Sequence, residues 1–254
     1  MFNENLSIQQ SLNLYSLETK FEWFKTIRNP MFALPVILFP VLFYLFFGVL
    51  FNHGNGDNAI YLLCTYGVFG IIGPALFSFG AGLATERGQG WLSIKEVSPM
   101  PPSAQIVART AVSVFFSILI VLILGLVATL LGGVILRLDQ ALIITIILVA
   151  GGLPFCLLGL ILGLTIKADS APAIVNLIYL PLSFLSGLWI PINALPDFLQ
   201  SFAQFLPPYH LAQLSLKVVG LDLGQSVASH IGVLAAFTFG FFILTLLAYR
   251  RKAT

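Results

Sequence analysis

Few residues in this chain have the types and spacing that chemistry requires. Ser186 and His230 lie in two apolar stretches and suggest the serine–histidine pair of an intramembrane protease, but Phe184 stands where rhomboid-type proteases have a glycine. The three histidines are far apart and show no HExxH spacing for a metal. We therefore expect no catalytic residue and no metal site in this chain.

The sequence does not predict a nucleotide or nucleic-acid site either. It contains no GxxxxGK[ST] motif, so a Walker A loop for ATP is absent. Its 12 Lys and Arg residues form no basic face of the kind that binds nucleic acid. Cys64 and Cys156 lie inside apolar stretches and are predicted to be small buried side chains rather than disulfide or metal partners.

The composition places most of the chain in lipid. Hydrophobic residues make up 58% of the 254 residues and charged residues 9%, against about 45–50% and about 25% in a soluble domain. A helix needs about 20 apolar residues to cross a bilayer. Six stretches qualify: 33–51, 59–84, 106–131, 141–164, 171–190 and 227–249. The predicted fold class is an all-α membrane protein, with six transmembrane helices in a single domain that covers residues 1–254.

Charged residues give the predicted orientation. If the N-terminus is cytoplasmic, only Arg137 and Lys217 of the 12 basic residues lie on the outer side. This orientation agrees with the general excess of Lys and Arg in the cytoplasmic loops of membrane proteins. Both termini are thus predicted to be cytoplasmic. The middles of the six stretches carry almost no charge, which argues against a proton- or sodium-coupled carrier. Movement of a solute would then be passive or driven by a partner.

Two connecting stretches have amphipathic patterns. Residues 12–28 carry apolar side chains at helical spacing, which predicts an interfacial helix that ends at Asn29 and Pro30. The stretch 191–226 is too apolar for a solvated loop. It is predicted to form two short helices that dip into the outer leaflet and pack against span five or a second subunit.

The longest predicted cytoplasmic loop, residues 85–103, has two interpretations. Residues 91–97 could form a short helix ended by the prolines at 99, 101 and 102, which suits docking of a partner. The same loop could equally be a plain connection. Small residues recur at Gly159 and Gly163 and again at Gly232 and Gly240, and such steps let helices approach closely.

Several motifs together resemble the membrane permease subunit of ABC type-2 exporters, in the branch of the multidrug and antibiotic exporters, over nearly the whole chain. The first is WFKTIRNP at 23–30, followed by FPV at 39–41. The second is ERG at 86–88 ahead of PMPP at 99–102. The most specific is NLIYLPLSFLSGLWIP at 176–191, followed by LP at 195–196 and LPPYH at 206–210. Pro208 departs from the family pattern, in which many members have an aliphatic residue.

The resemblance implies six spans per subunit, an N-terminal elbow helix and re-entrant outer helices. It also implies a second permease subunit, as a homodimer, and separate ABC ATP-binding subunits that hold ATP and Mg, with no cofactor in this chain. The residues that would contact the ATPase are Glu86, Arg87, Gly88, Trp91, Lys95 and Glu96. The residues that would form the outer gate and its re-entrant turn are Ser186, Gly187, Pro191, Pro207, Tyr209 and His210.

The predicted function is that of a permease in a prokaryotic plasma membrane, which exports an amphiphilic drug-like or lipid-like molecule by means of ATP hydrolysed on a partner. The 23 Phe residues are compatible with apolar cargo or with bulk that simply faces lipid. Export of a lipid-linked glycan by the same architecture, or a membrane assembly role without transport, stays open as an alternative.

Overall fold

The computed structural model describes residues 8–52, 54–92 and 101–250. Within these ranges the chain is helical and forms no β-strand. Six helices are long and apolar enough to cross a membrane, which confirms the predicted number of spans. Spans one to six are Ala33–Leu50, Gly56–Gly88, Ser103–Leu130, Leu138–Thr165, Ala168–Leu185 and Val227–Ala248.

The α-helices that build and connect these spans follow in chain order. They are α1 Ile8–Ile27, α2 Pro30–Phe43, α3 Gly56–Leu76, α4 Leu83–Gly88, α5 Pro102–Leu130, α6 Leu138–Ala150, α7 Leu153–Thr165, α8 Ala171–Leu185, α9 Asp197–Ala203, α10 Pro207–Val219 and α11 Val227–Arg250. Two π-helical stretches, Tyr44–Leu50 and Phe77–Gly82, continue spans one and two.

Span two is the centre of the bundle. Of its most apolar window 83% is buried, against 11% for span six. Small residues let span four approach it: a Cβ added at Gly159 would lie 2.8 Å from the carbonyl oxygen of Ala75, and one at Gly163 would overlap the carbonyl oxygen of Phe79. The first small-residue step is therefore a helix–helix contact within the chain.

The second small-residue step behaves differently. A Cβ added at Gly232 or Gly240 would meet no described atom within 4 Å. Span six packs against span four and α10 along one side and leaves large apolar side chains such as Phe239 exposed on the other. Such a surface faces lipid or another protein, since apolar side chains of this size are costly to expose to water.

Span four is made of two helices. The helix is interrupted between α6 and α7 at Gly151 and Gly152, just before Pro154. Proline has no N–H to continue the helical hydrogen bonds. A side chain at Gly151 would also overlap Leu211 of α10, so the missing Cβ makes room for this neighbour.

Contacts between span ends define two faces of the bundle. At the α1 face, α1 packs against the start of span three, and the ends of spans two and four lie together. At the opposite face, the Tyr44 hydroxyl of span one donates to the carbonyl oxygen of Ala59 in span two, and Gln140 of span four donates to the carbonyl oxygen of Val218 in α10. The short helices α9 and α10 belong to this opposite face.

Candidate functional site

A group of four charged side chains joins α1, span two and span three at the α1 face. Arg109 of span three is only 2% exposed. Its Nη1 donates to the carbonyl oxygen of Ser78 at 2.6 Å, and its Nη2 donates to Glu86 Oε2 of span two at 2.5 Å. Glu22 of α1 completes the surroundings, with Oε1 3.6 Å from Arg109 Nη1. A buried charge is stable only when it is paired in this way.

Lys25 connects the two carboxylates. Its Nζ donates to Glu22, one helical turn away, and to Glu86 of span two. Glu86 Oε2 also accepts a hydrogen bond from Gln105 at 3.3 Å. We call Glu22, Lys25, Glu86 and Arg109 the charged joint. It has two positive and two negative groups, so it ties three elements together without net charge.

The sequence of α1 accounts for the orientation of this helix. Glu22 is buried toward the bundle, whereas Leu17, Phe21 and Phe24 are exposed. This is the reverse of a soluble helix, which buries its apolar face. An exposed apolar face beside a buried charge suits a helix that lies against lipid and is held to the protein through its polar face.

The two residues after Glu86 bind a different part of the chain. Arg87 donates from Nη1 and Nη2 to the carbonyl oxygens of Leu164 and Ile166, which end span four. A cationic side chain is favourable there because helical carbonyls at a C-terminus lack partners. Gly88 lies so close to Ala168 that an added Cβ would overlap its side chain.

The residues predicted to contact an ATPase are therefore distributed over several surroundings. Glu86, Arg87 and Gly88 make contacts inside the chain, whereas Trp91 is 54% exposed. Lys95 and Glu96 lie outside the described residues. Contact of this group with a partner remains a prediction. Sequence reasoning missed Glu22, Lys25 and Arg109 as a joint, because their contacts cross between helices. Glu86 lies 61 residues from Lys25 and 23 residues from Arg109.

A cavity of about 690 Å³ opens beside the charged joint. Lys25 and Arg109 line its polar side, and Val36, Phe39 and Phe77 line its apolar side. Spans one, two and five and α1 all contribute to its wall. Its volume falls within the ~300–1,000 Å³ range of small-molecule sites. The arrangement can accommodate a molecule that has one polar and one apolar end.

At the opposite face, the chain turns sharply after span five. Ser186 Oγ donates to the carbonyl oxygen of Leu182 at 2.7 Å, and Gly187 adopts a φ of +71°, which a residue with a side chain rarely adopts. The following turn at Pro191 is fixed to span two by tyrosines that sequence reasoning missed. The Tyr66 hydroxyl donates to the carbonyl oxygen of Trp189 at 3.1 Å, and the Tyr61 hydroxyl accepts from the Ile192 N–H at 3.2 Å.

Two histidines meet between α10 and span six. His210 Nδ1 lies 2.9 Å from His230 Nδ1, and His210 Nε2 donates to the carbonyl oxygen of Gln204 at 2.8 Å. The ring of Tyr209 packs against His210, while Pro207 begins α10. Burial lowers the pKa of His210 below its ordinary value of 6.5. Since His230 pairs with His210 and Ser186 bonds its own helix, the two do not form the serine–histidine pair of a protease.

In the part of the chain that the structure describes, no three His, Cys, Asp or Glu side chains are grouped to hold a metal. Cys64 is buried and Cys156 half-buried, and neither forms a disulfide. The described geometry thus includes a paired charged joint and an amphipathic cavity. At the opposite face it includes neutral hydrogen bonds beside the ion pairs Lys217–Asp222 and Arg137–Asp139.

Comparison with known proteins agrees with this architecture. Residues 14–219 match the family model described as ABC-2 type transporter. The chain is also 27% identical over 248 residues to "Putative transport permease YvfS" of Bacillus subtilis (strain 168), a match that covers 95% of this chain and 99% of the relative. Six spans, a permease relative matched over 99% of its own length and a family match over most of the chain lead to one conclusion: the protein belongs to the ABC-2 type transporter family, as a multi-pass membrane permease of an ABC transporter.

Proposed function

We propose that this permease exports an amphiphilic molecule, drug-like or lipid-like, across a prokaryotic plasma membrane, with ATP hydrolysed on separate ATP-binding subunits. The observation that carries the proposal is the cavity at the α1 face, which is polar at the charged joint and apolar at Val36 and Phe39. Its two kinds of wall match the two ends of an amphiphile. The α1 face is cytoplasmic in this proposal, and the termini lie on the same side.

The charged joint supports a mechanism for coupling to the partner. An ATP-binding subunit that contacts the exposed Trp91 would push on the end of span two. Because Glu86 is paired with Lys25 of α1 and with Arg109 of span three, these three elements would move together and change the cavity between spans one, two and five. The ATP-bound partner needs to favour one state of the permease by a few kcal/mol.

A second permease subunit completes the proposed transporter. Only 22% of the most apolar window of span one, and the same share of span five, is buried within one chain. Both spans line the cavity, so a second copy placed against them would close the passage. The proposed outer gate comprises the turn at Ser186, Gly187 and Pro191 together with α10. ATP and Mg would bind the partner and not this chain.

Contact with the partner is tested with the complex of the permease and its ATP-binding subunit in lipid. Trp91→Ala should weaken co-purification of the two subunits and lower the ATPase rate that the permease stimulates. The matched control is Phe198→Ala, which removes another exposed aromatic ring, in α9 of the opposite face. Equal effects of the two substitutions would argue against contact at Trp91.

The cavity is tested by filling it. Val36→Trp places a large side chain in the cavity, whereas Leu34→Trp places the same side chain on the exposed surface of the same helix. We expect only Val36→Trp to abolish export of an amphiphilic dye from inverted vesicles, with basal ATPase activity retained. Loss of export in both variants, or in neither, would contradict a cargo site in this cavity.

A further inference from the structure

The histidine pair at the opposite face has one definite pattern of protons. The carbonyl oxygen of Gln204 can only accept, so His210 must carry a proton on Nε2. A neutral His210 then has an unprotonated Nδ1, which accepts from Nδ1–H of His230. His230 Nε2 is consequently an unprotonated acceptor, and it is buried without a hydrogen-bond partner among the described residues.

This line of hydrogen bonds holds three elements together. Gln204 lies in the turn after α9, His210 in the first part of α10, and His230 near the start of span six. The side chains of both histidines are almost fully buried, at 3% and 0% exposure. The bond between them is a polar link between the start of α10 and span six, and the strength of this bond depends on the protons of the two rings.

Added protons change the pair in two steps. His210 can take one proton on Nδ1 if the hydrogen bond between the two rings reverses. His210 Nδ1–H then donates to His230 Nδ1, and His230 carries its own proton on Nε2. That N–H then lies buried with no acceptor among the described residues, and a buried N–H without a partner is costly. A second proton would place two N–H donors 2.9 Å apart, and the rings would have to separate.

The charged groups near the pair are themselves paired. Asp222 binds Lys217 Nζ at 2.7 Å, so this couple presents one charge of each sign to the histidines. From span two, Tyr61 interacts with Tyr209 and Cys64 with Ser215, all of them neutral at physiological pH. At the start of span four, Arg137 is paired with Asp139. The Tyr209 hydroxyl is buried and has no described partner.

We propose that His210 and His230 form an acid-sensitive clasp that keeps α9 and α10 attached to span six at neutral pH and releases them when the adjacent compartment becomes acidic. The clasp is independent of the cargo and of the ATP-binding subunit. Its direction follows from burial: the native state favours neutral rings, so the clasp is intact above about pH 6.5 and weakens as the pH falls below that value.

The proton positions are tested by nitrogen NMR of the full-length chain in lipid nanodiscs with only histidine labelled by ¹⁵N. The chain has three histidines, and His53→Gln removes the signal of the third. At about pH 7.5 we expect His210 protonated on Nε2 and His230 protonated on Nδ1, the less common tautomer. A His230 that carries its proton on Nε2 under these conditions would overturn the proposal.

Release of the clasp is tested by amide hydrogen exchange between about pH 7.5 and pH 5, corrected for the intrinsic exchange rate. For one proton taken up on opening, exchange in residues 205–214 should accelerate by up to about tenfold per pH unit, with no change in span two. His210→Asn/His230→Asn, which cannot titrate, should show no such acceleration. A wild-type profile without pH dependence, or the same dependence in the double variant, would overturn the clasp.

Discussion

The two faces of the bundle hold their polar groups in different ways. At the α1 face, four charged side chains from α1, span two and span three are paired with one another, and Arg109 at their centre is almost fully buried. At the opposite face, neutral tyrosines and histidines bond to backbone carbonyls and to each other. The first joint is held by charge-assisted hydrogen bonds, whereas a joint of histidines is sensitive to protons near neutral pH. In the proposed mechanism, the α1 face transmits the motion of the partner and the opposite face opens.

The largest expected effect comes from breaking the charged joint. Arg109→Met leaves Glu22 and Glu86 without their buried partner, and loss of one member of a buried pair costs about 3–5 kcal/mol of stability. Chemical denaturation of the purified permease in detergent measures this loss of stability. Arg109→Met/Glu86→Gln removes charge of both signs and should recover part of the stability. A single variant as stable as the wild type would contradict a structural joint.

The next effect concerns the contact between spans two and four, which connects the two faces. A side chain at Gly163 would overlap the backbone of span two, so Gly163→Ala should destabilise the protein by about 1–3 kcal/mol through overpacking. Gly240→Ala is the matched control, because no described atom lies near its added Cβ. Thermal unfolding in the same lipid compares the melting temperatures of the two variants. Equal melting temperatures would contradict the close approach of spans two and four.

A smaller effect is expected from a single neutral hydrogen bond at the opposite face. Tyr66→Phe removes the bond to the carbonyl oxygen of Trp189 and should cost about 0.5–1.5 kcal/mol. The loss should be similar at pH 6 and pH 8, unlike any change at the histidine pair. Chemical denaturation at both pH values measures it, and a cost as large as that of Arg109→Met would remove the distinction between the two faces.

The smallest effect is expected from the surface ion pair between Lys217 and Asp222. The hydrogen bond from Lys217 holds the pKa of Asp222 below its ordinary value of 3.8, so the contribution of the pair is present above about pH 4 and is lost as the pH falls through the lowered pKa. Such partly exposed pairs contribute about 0.2–1 kcal/mol and are screened by salt. Asp222→Asn should therefore change stability slightly at low salt and not at all at about 1 M salt.

Much of the fold can be predicted from the sequence because lipid imposes a simple requirement. Long apolar stretches must become helices to satisfy their backbone, which is why six spans could be counted directly. The motifs at 86–88 and 176–191 sufficed to identify the family, which the match over residues 14–219 confirms. The break in span four could not be predicted with equal ease, because glycine and proline are tolerated in membrane helices.

The candidate site could be predicted only in part. Glu86 was singled out for contact with a partner, yet its carboxylate binds Lys25 and Arg109 in this chain, and Arg109 was assigned no role. His210 and His230 were considered as separate residues, although they lie 2.9 Å apart. These pairings join residues of distant segments, and neither hydropathy nor local spacing reports which helices are neighbours.

The central claim is that the charged joint moves as one body when the partner binds ATP, while the cavity beside it changes. The most direct measurement is the distance between paired spin labels in the complete transporter, with Cys64 and Cys156 replaced by alanine. One pair joins α1 to the end of span two, at Lys20→Cys and Gln89→Cys. The other joins the end of span two to span five, at Gln89→Cys and Leu177→Cys. We predict that ATP leaves the first distance unchanged and shifts the second; a change in the first as large as in the second would contradict the account.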